Sequence, residues 1–357
     1  MKIYLIGTFS VWCCLMGCTQ HHVFVNEIAG FEQRYTLSEE KILLDADILF
    51  PLKMNFLDDS TIAIAELQDE YAVHIFRVSG DTLHLTDRLG HKGEGPNEIR
   101  FNANTLQKDT YNQSEGVWIG DSRWVQFHPY HKEPDTWDDK YAEIKRLPSN
   151  LFPATECFIM ENDYLLGTSS AIDRQVFLYS LTNDSISEYD FYPVSSNSYN
   201  PRDSKNVFSG AMEIKPDKSK FVFAYTFGKA LSVVSVQNMS EPMYITFKGA
   251  PFPQHVTPQE LENLPIQYIR LYTTDNFIYA LYAGKMVKDL ENAGESQPLS
   301  VHVFKWDGTA HCELQLNQLI NCLCVDEKTR SLYGINPMAE ESSECYRFAL
   351  PEAMFTD

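Results

Sequence analysis

This chain lacks any concentration of positive charge. No run of Lys or Arg occurs along its 357 residues, and 29 basic residues face 49 acidic ones. That excludes a nucleic-acid surface built on phosphate neutralisation, and it excludes adhesion to anionic lipid by charge. Catalytic strings are missing too. Neither Gly-x-Ser-x-Gly nor His-Glu-x-x-His is present, so the corresponding nucleophile-elbow and zinc-hydrolase arrangements are excluded. No Lys-Ser or Lys-Thr follows the glycine-rich segment at Gly90–Gly95, which argues against a phosphate cradle there. The apolar run near the N-terminus, Ile3 to Met16, is too short to span a bilayer. No catalytic residue, metal site or cofactor is assigned from the sequence.

What is present begins with that apolar run. Lys2 precedes it and small Gly17 ends it, the layout of a secretory signal over residues 1–17. The ending Leu15-Met16-Gly17-Cys18 resembles the bacterial lipobox. The resemblance implies that Cys18 becomes the first mature residue, carries lipid, and tethers the folded part to a membrane outside the cytoplasm. Loss of Lys2 leaves 28 basic residues and a net charge of −21. Acidity of that kind keeps a protein soluble and says little about fold. Residues 18–33 read as a tether, so trimming residues 19–30 is expected to be nearly silent. Residues 34–357 read as the folded domain.

Cys13 and Cys14 leave with the signal, and five cysteines remain beyond Cys18: Cys157, Cys312, Cys322, Cys324 and Cys345. An odd number leaves at least one free thiol. Cys322 and Cys324, two apart in an apolar run, share a face of a strand. Joining them with His311 and Cys312 fits no common zinc spacing, so they read as small core residues.

The chain has an internal rhythm. An apolar run meets a polar turn, a second run follows, and two more strand-like runs complete the unit. The turns fall at Asp58-Asp59, Glu115-Gly116, Asn162-Asp163, Pro216-Asp217, Asp275-Asn276 and Asp326-Glu327, recurring every 47 to 59 residues. Four short strands per period of about fifty residues is the signature of propeller blades. The 22 Phe, 19 Tyr and 5 Trp, spread throughout, suit such an all-β core. The sixth unit ends after its third strand, while a spare run, Lys41 to Leu49, precedes the first. Pairing the two closes the ring and removes a sheet edge. A six-bladed β-propeller, its last blade closed by an N-terminal strand beside residues 345–350, is therefore expected. A pair of β-sandwiches with coincidental spacing is the alternative. Thr257-Pro258-Gln259-Glu260 marks one short helical insertion.

The segment from Leu89 to Phe127 carries a further resemblance. Gly90, Gly93, Gly95, Pro96 and Glu98, then an apolar-Trp-apolar-x-Asp strand ending at Asp121, resemble NHL-type repeats. With the lipobox, the chain as a whole resembles the TolB-like six-bladed β-propeller lipoproteins of Bacteroidetes. The resemblance implies the fold and a membrane tether, and it lends no catalytic residues. Surface-exported lipoproteins of that phylum resemble one another in carrying acidic residues soon after the lipidated Cys. Here Glu27 is the first, so the periplasmic face is expected rather than the cell surface.

Candidate ligand-binding residues are those that cluster in the glycine-rich loop, His91, Lys92, Glu94, Asn97, Glu98 and Arg100, with Arg123, Arg202 and Arg270 near strand ends. Scattered arginines in an acidic chain could line a central channel and take an anionic group. The function expected is a non-catalytic module that binds a small molecule or a protein, anchored through the lipid on Cys18. The alternative is a propeller-type hydrolase or lyase of a carbohydrate or lactone, which rests on fold analogy. The channel discriminates: two converging carboxylates favour the enzyme, and single charged groups among apolar ones favour binding.

Overall fold

The computed structural model describes residues 24–100, 102–130, 141–193, 201–254, 256–257, 263–286, 288–289, 299–337 and 343–356. Cys18, His131 and most of the expected helical insertion lie outside the described residues. Six blades make up the propeller, as the repeat predicts. Blade 1 holds β4 (Pro51–Asp58), β5 (Thr61–Glu66), β6 (Tyr71–Ser79) and β7 (Thr82–His91). Blade 2 holds β8 (Asn102–Tyr111), β9 (Ser114–Asp121), β10 (Trp124–Pro129) and β11 (Glu143–Arg146). Blade 3 holds β12 (Ala154–Ile159), β13 (Tyr164–Ser169), β14 (Val176–Ser180) and β15 (Ile186–Tyr189). Blade 4 holds β16 (Gly210–Ile214), β17 (Lys220–Tyr225), β18 (Ala230–Ser235) and β19 (Asn238–Phe247). Blade 5 holds β20 (Pro265–Thr273), β21 (Phe277–Met286), β22 (Ser300–Lys305) and β23 (Ala310–Gln315). Blade 6 holds β24 (Cys322–Asp326), β25 (Ser331–Asn336) and β26 (Glu344–Ala349). A short helix, α1 (Pro201–Val207), links blades 3 and 4 and was not foreseen.

Each blade is covered on both faces by its neighbours, so its middle strands are buried along their length. Thr61–Glu66 and Ser331–Asn336 show no exposed position, which is why the sequence reads as apolar runs rather than as alternation. Apolar clusters fill the wedges between blades; Leu57, Ile75, Ile99 and Val117 fill the first wedge, for example. One expected turn is displaced. The chain reverses at Asn112 and Gln113, with φ of 49° and 67°, and not at Glu115-Gly116. Gly116 sits inside β9, where a Cβ would come within 2.4 Å of the His128 carbonyl. Its glycine serves close strand approach, while Asn supplies the left-handed turn.

The ring closes through β3 (Glu39–Leu44), which pairs antiparallel with β26, Ile42 opposite Cys345 and Glu39 opposite Phe348. The closing strand is shorter than the expected Lys41–Leu49. Its tip leaves blade 6 and runs parallel to the start of β7, Leu43 opposite Thr82. Asp45 then ends the strand, because its carboxylate accepts the Leu85 N–H at 2.7 Å in place of a ladder carbonyl. Blades 6 and 1 thus form one continuous eight-stranded sheet.

The expected tether must be corrected. From Phe24 onward it is part of the fold. β1 (Phe24–Ile28) adds a parallel fifth strand to blade 4 against β19, and β2 (Arg34–Thr36) does the same for blade 5 against β23. Between them Phe31 is buried against Phe247, His302 and Phe304. Outer strands present unpaired N–H and C=O groups, and this segment satisfies them on two blades before closing the third. Trimming to residue 30 would remove β1, so it is not silent.

Cys157, Cys312, Cys322, Cys324 and Cys345 are all buried and unpaired. Burial pushes the thiols of Cys312 and Cys322 up to about 12. His311 gives its Nε2 to the Met354 carbonyl at 2.7 Å, and among the described residues no group of three or more His, Cys, Asp or Glu could hold a metal. Ellman's reagent is therefore expected to titrate none of these five thiols in native mature Cys18→Ser protein and all five after denaturation. A thiol that reacts at once in the native state would contradict this burial.

Candidate functional site

The glycine-rich segment crosses from blade 1 to blade 2 and folds upon itself. Gly90 takes φ 72° against Ile99 and Ala72, where any Cβ would clash. The Glu98 carboxylate turns back to accept the Gly95 N–H at 2.6 Å. His91 lies 2.9 Å from Glu70 and 3.5 Å from Glu98. Lys92 donates to the carbonyls of Glu66 and Asp69 at 2.7 and 2.8 Å. Asn97 donates to the Tyr141 hydroxyl and accepts from Arg146, and its carbonyl takes the Gln126 amide. Arg100 donates to the Glu94 carbonyl at 3.1 Å, and Arg123 pairs with buried Asp121 at 2.8 Å. The structure does bring His91, Lys92, Glu94, Asn97, Glu98, Arg100 and Arg123 to one crossover. Their bonds lie within the crossover and the blades that flank it, and Asn97 joins the loop to blade 2 through Gln126, Tyr141 and Arg146. Arg202 stands on α1, on another crossover. Among the expected residues whose side chains are described, only Arg270 belongs to the channel.

The channel is walled by the first strand of each blade. These strands diverge too much for backbone pairing, so side chains bridge them. Asn55 of β4 donates to the Leu106 carbonyl at 3.2 Å. Gln107 of β8 makes two bonds of 2.8 Å to the backbone of Ile159. Glu156 of β12 accepts the Met212 N–H at 3.0 Å. Thr273 of β20 donates to the Ile214 carbonyl at 2.5 Å. Arg270 reaches across to the Leu52 carbonyl at 3.0 Å, and Asn321 donates to Pro51 at 2.7 Å.

Where these strands end in their turns, the axis widens into a pocket of about 430 Å³. Lys53 of blade 1 and Glu213 of blade 4 both line it, paired with each other and each only 8 % exposed. Gln107, Lys108 and Asp109 come from blade 2, and Tyr272 to Asp275 from blade 5. Phe56 supplies an aromatic edge. Glu156 lies close by, 7 % exposed, and its charge is felt by Lys53, Glu213 and Arg270. Those three stand on blades 1, 4 and 5, while the Glu156 carboxyl itself bridges from blade 3 to the Met212 N–H of blade 4.

Burial raises the Glu156 pKa from an ordinary 4.5 to about 8; Glu213 adds to the rise while Lys53 and Arg270 oppose it. Burial also raises Glu213, with Lys53 holding it back. A carboxyl raised in the folded state keeps a proton that the unfolded chain has lost. Between pH 4.5 and about 8 the folded chain binds more protons, so this group lowers stability as pH rises, and its effect levels off above pH 8. Glu156→Gln is expected to abolish that decline. The variant should match the parent near pH 4.5 and exceed it at pH 9, by on the order of 4 kcal/mol. Urea midpoints across that range check this; parallel curves would refute it.

Lys53, Glu156 and Glu213 were absent from the expected set. Each is a lone charged residue in or directly before the apolar first run of its unit, Leu52-Lys53-Met54, Thr155-Glu156-Cys157 and Met212-Glu213-Ile214. A charge inside a run otherwise destined for burial was the available signal.

Residues 31–328 match the family model for the TolB-like 6-blade propeller-like fold. A crystal structure of a DUF4221 family member from Bacteroides vulgatus superposes with a TM-score of 0.59 at 12% identity, covering 87% of this chain and 96% of that one. A presumptive exported protein of Bacteroides fragilis superposes with a TM-score of 0.54 at 10% identity, covering 92% and 99%. At such identities the likeness shows the fold alone. No curated protein matches the sequence. Among the described residues no helix is long and apolar enough to cross a membrane.

Proposed function

The chain belongs to the TolB-like 6-blade propeller-like family, and we propose that it is a membrane-anchored, extracytoplasmic propeller that binds a small polar ligand in its axial pocket without turning it over. The observation that carries this reading is the pocket of about 430 Å³, with a buried Lys53–Glu213 pair at its wall. Its volume falls in the range of small-molecule sites, and its polar groups converge from separate blades. Thermal shifts with a panel of sugars, amino acids and amines test it. Ligands should raise the melting temperature of the parent and not that of Glu213→Leu. A panel that shifts neither protein would argue against a small-molecule site.

The anchor supports the same picture from the other end of the chain. Cys18→Ser should move the protein from the membrane to the soluble fraction, and protease shaving of intact cells should spare the lipidated form. Retention of the serine variant in membranes would remove the lipid from this account.

A second reading has one observation behind it. Glu156 and Glu213 stand on the first strands of adjacent blades and influence each other, which is the arrangement expected of a hydrolase or lyase acting on a carbohydrate or lactone. Product formed by the parent and abolished in both Glu156→Gln and Glu213→Gln would replace the binding account with this one.

A further inference from the structure

Building on the axial-pocket reading, we infer that the ligand carries a primary ammonium group, which enters beside Glu213 and Glu156 and displaces Lys53 as their counter-cation.

Three observations carry this inference. The first is the occupied site itself. Two carboxyls stand on the first strands of adjacent blades and influence each other, and the cation paired with Glu213 at the pocket wall is the chain's own Lys53. Its ammonium is held by Glu213 and stands 4.9 Å from the centre of the Phe158 ring. A lysine stem is flexible and its head is a compact point charge, so it holds a place that another primary amine can take.

The second is an unused acceptor. One oxygen of Glu156 accepts the Met212 N–H at 3.0 Å. Among the described residues the other oxygen accepts no hydrogen bond and is not itself sealed from solvent, although the residue as a whole is more than nine-tenths buried. That oxygen is open to a donor, and an ammonium brings three.

The third is the approach. The pocket continues into a second cavity of about 350 Å³ that shares Phe56, Lys108, Thr274 and Asp275 with it. Asp58, Asp59, Asp326 and Glu327 add acids around this outer mouth, against Lys108 and Lys328. Carboxylates around a narrow opening focus a field that draws in cations.

Proton release follows from the same geometry. The groups facing Glu156 are Lys53 on β4, Glu213 on β16 and Arg270 on β20; nearby Gln107 and Thr105 on β8 are neutral. An arriving ammonium favours the ionised carboxyl, so binding expels the Glu156 proton. Affinity should therefore rise between pH 6 and 8 and flatten beyond, where the proton has already left.

The probe is putrescine, with 1,4-butanediol as its uncharged match, titrated by calorimetry into mature Cys18→Ser protein in buffers of different ionisation enthalpy. Putrescine should bind, butanediol should not, and close to one proton should be released at pH 7. In Glu156→Gln the proton release should vanish and affinity should fall about tenfold. In Lys53→Met, where the internal cation is gone, affinity should rise about tenfold and putrescine should restore much of the lost thermal stability. Binding of butanediol or of neutral sugars with equal strength would overturn the ammonium and leave the pocket reading standing. Absence of any putrescine effect on both the parent and Lys53→Met would overturn the ammonium as well. The pocket reading itself falls only if the whole ligand panel leaves the parent unchanged.

Discussion

Ile42→Asp is expected to abolish folding, while Leu43→Asp, one residue on, is expected to leave the protein close to native. Ile42 is 2 % exposed, sits opposite Cys345 in the closing strand and belongs to the core shared by blades 5, 6 and 1. Leu43 is 63 % exposed. Removing a large apolar side chain from such a site costs about 1.5–3 kcal/mol in transfer alone. Burying an unpaired carboxylate in its place adds several kcal/mol more. The total approaches the roughly 5–15 kcal/mol by which a typical domain is stable. A ring has a further liability, since losing its closure frees strand edges on two blades at once. Deleting residues 24–44 should be harsher still. It strips fifth strands from blades 4 and 5 and removes buried Phe31 and Leu37 with Ile42. Gel filtration and urea denaturation of the two point variants decide the matter. A folded, monomeric Ile42→Asp protein would show that β3 decorates the ring and does not close it.

The second large effect concerns the axis. Lys53→Met should destabilise the protein by about 3–5 kcal/mol, because it leaves Glu213 buried without its partner. Replacing both, Lys53→Met with Glu213→Leu, should recover most of that loss, since a buried ion pair is often matched by apolar residues of similar volume. The double-mutant comparison in urea separates the two contributions. A single Lys53→Met variant as stable as the parent would mean that Glu213 takes up a proton at little cost. In that case its stability should fall steeply with rising pH, because the unpaired carboxyl would resist ionisation in the fold.

The fold was legible in the chain to a large extent because its signals are local. Several turns need residues that tolerate left-handed backbone, and Asn162, Asp163 and Lys218 stand at such positions with φ near 60°. Each middle strand needs residues that tolerate burial on both faces. The glycine-rich crossover was visible for the same reason, since Gly90 answers a backbone requirement within a few residues of itself. What the sequence did not show is which groups these clustered polar residues bond to. Glu98 bonds back to Gly95 within the loop, while Asn97 and Lys92 bond to Tyr141 and to the Glu66 carbonyl in adjoining segments. The segment before Lys41 did mislead. Phe24–Ile28 carries little local strand signal, and its order comes from an edge of blade 4 more than two hundred residues later, Phe24 opposite Met243.

By itself the sequence determined six strand units, a deficit of one strand at the end and a spare one at the start. Those are properties of runs and turns, and runs and turns are set by neighbours along the chain. Only the tertiary structure decided that Lys53, Glu156, Glu213 and Arg270 share one axis. They come from four separate units. A strand pattern specifies which face of its own blade a side chain occupies. It contains nothing about which side chain will stand across the channel, because that follows from how many blades close the ring and how far each inner strand reaches along it.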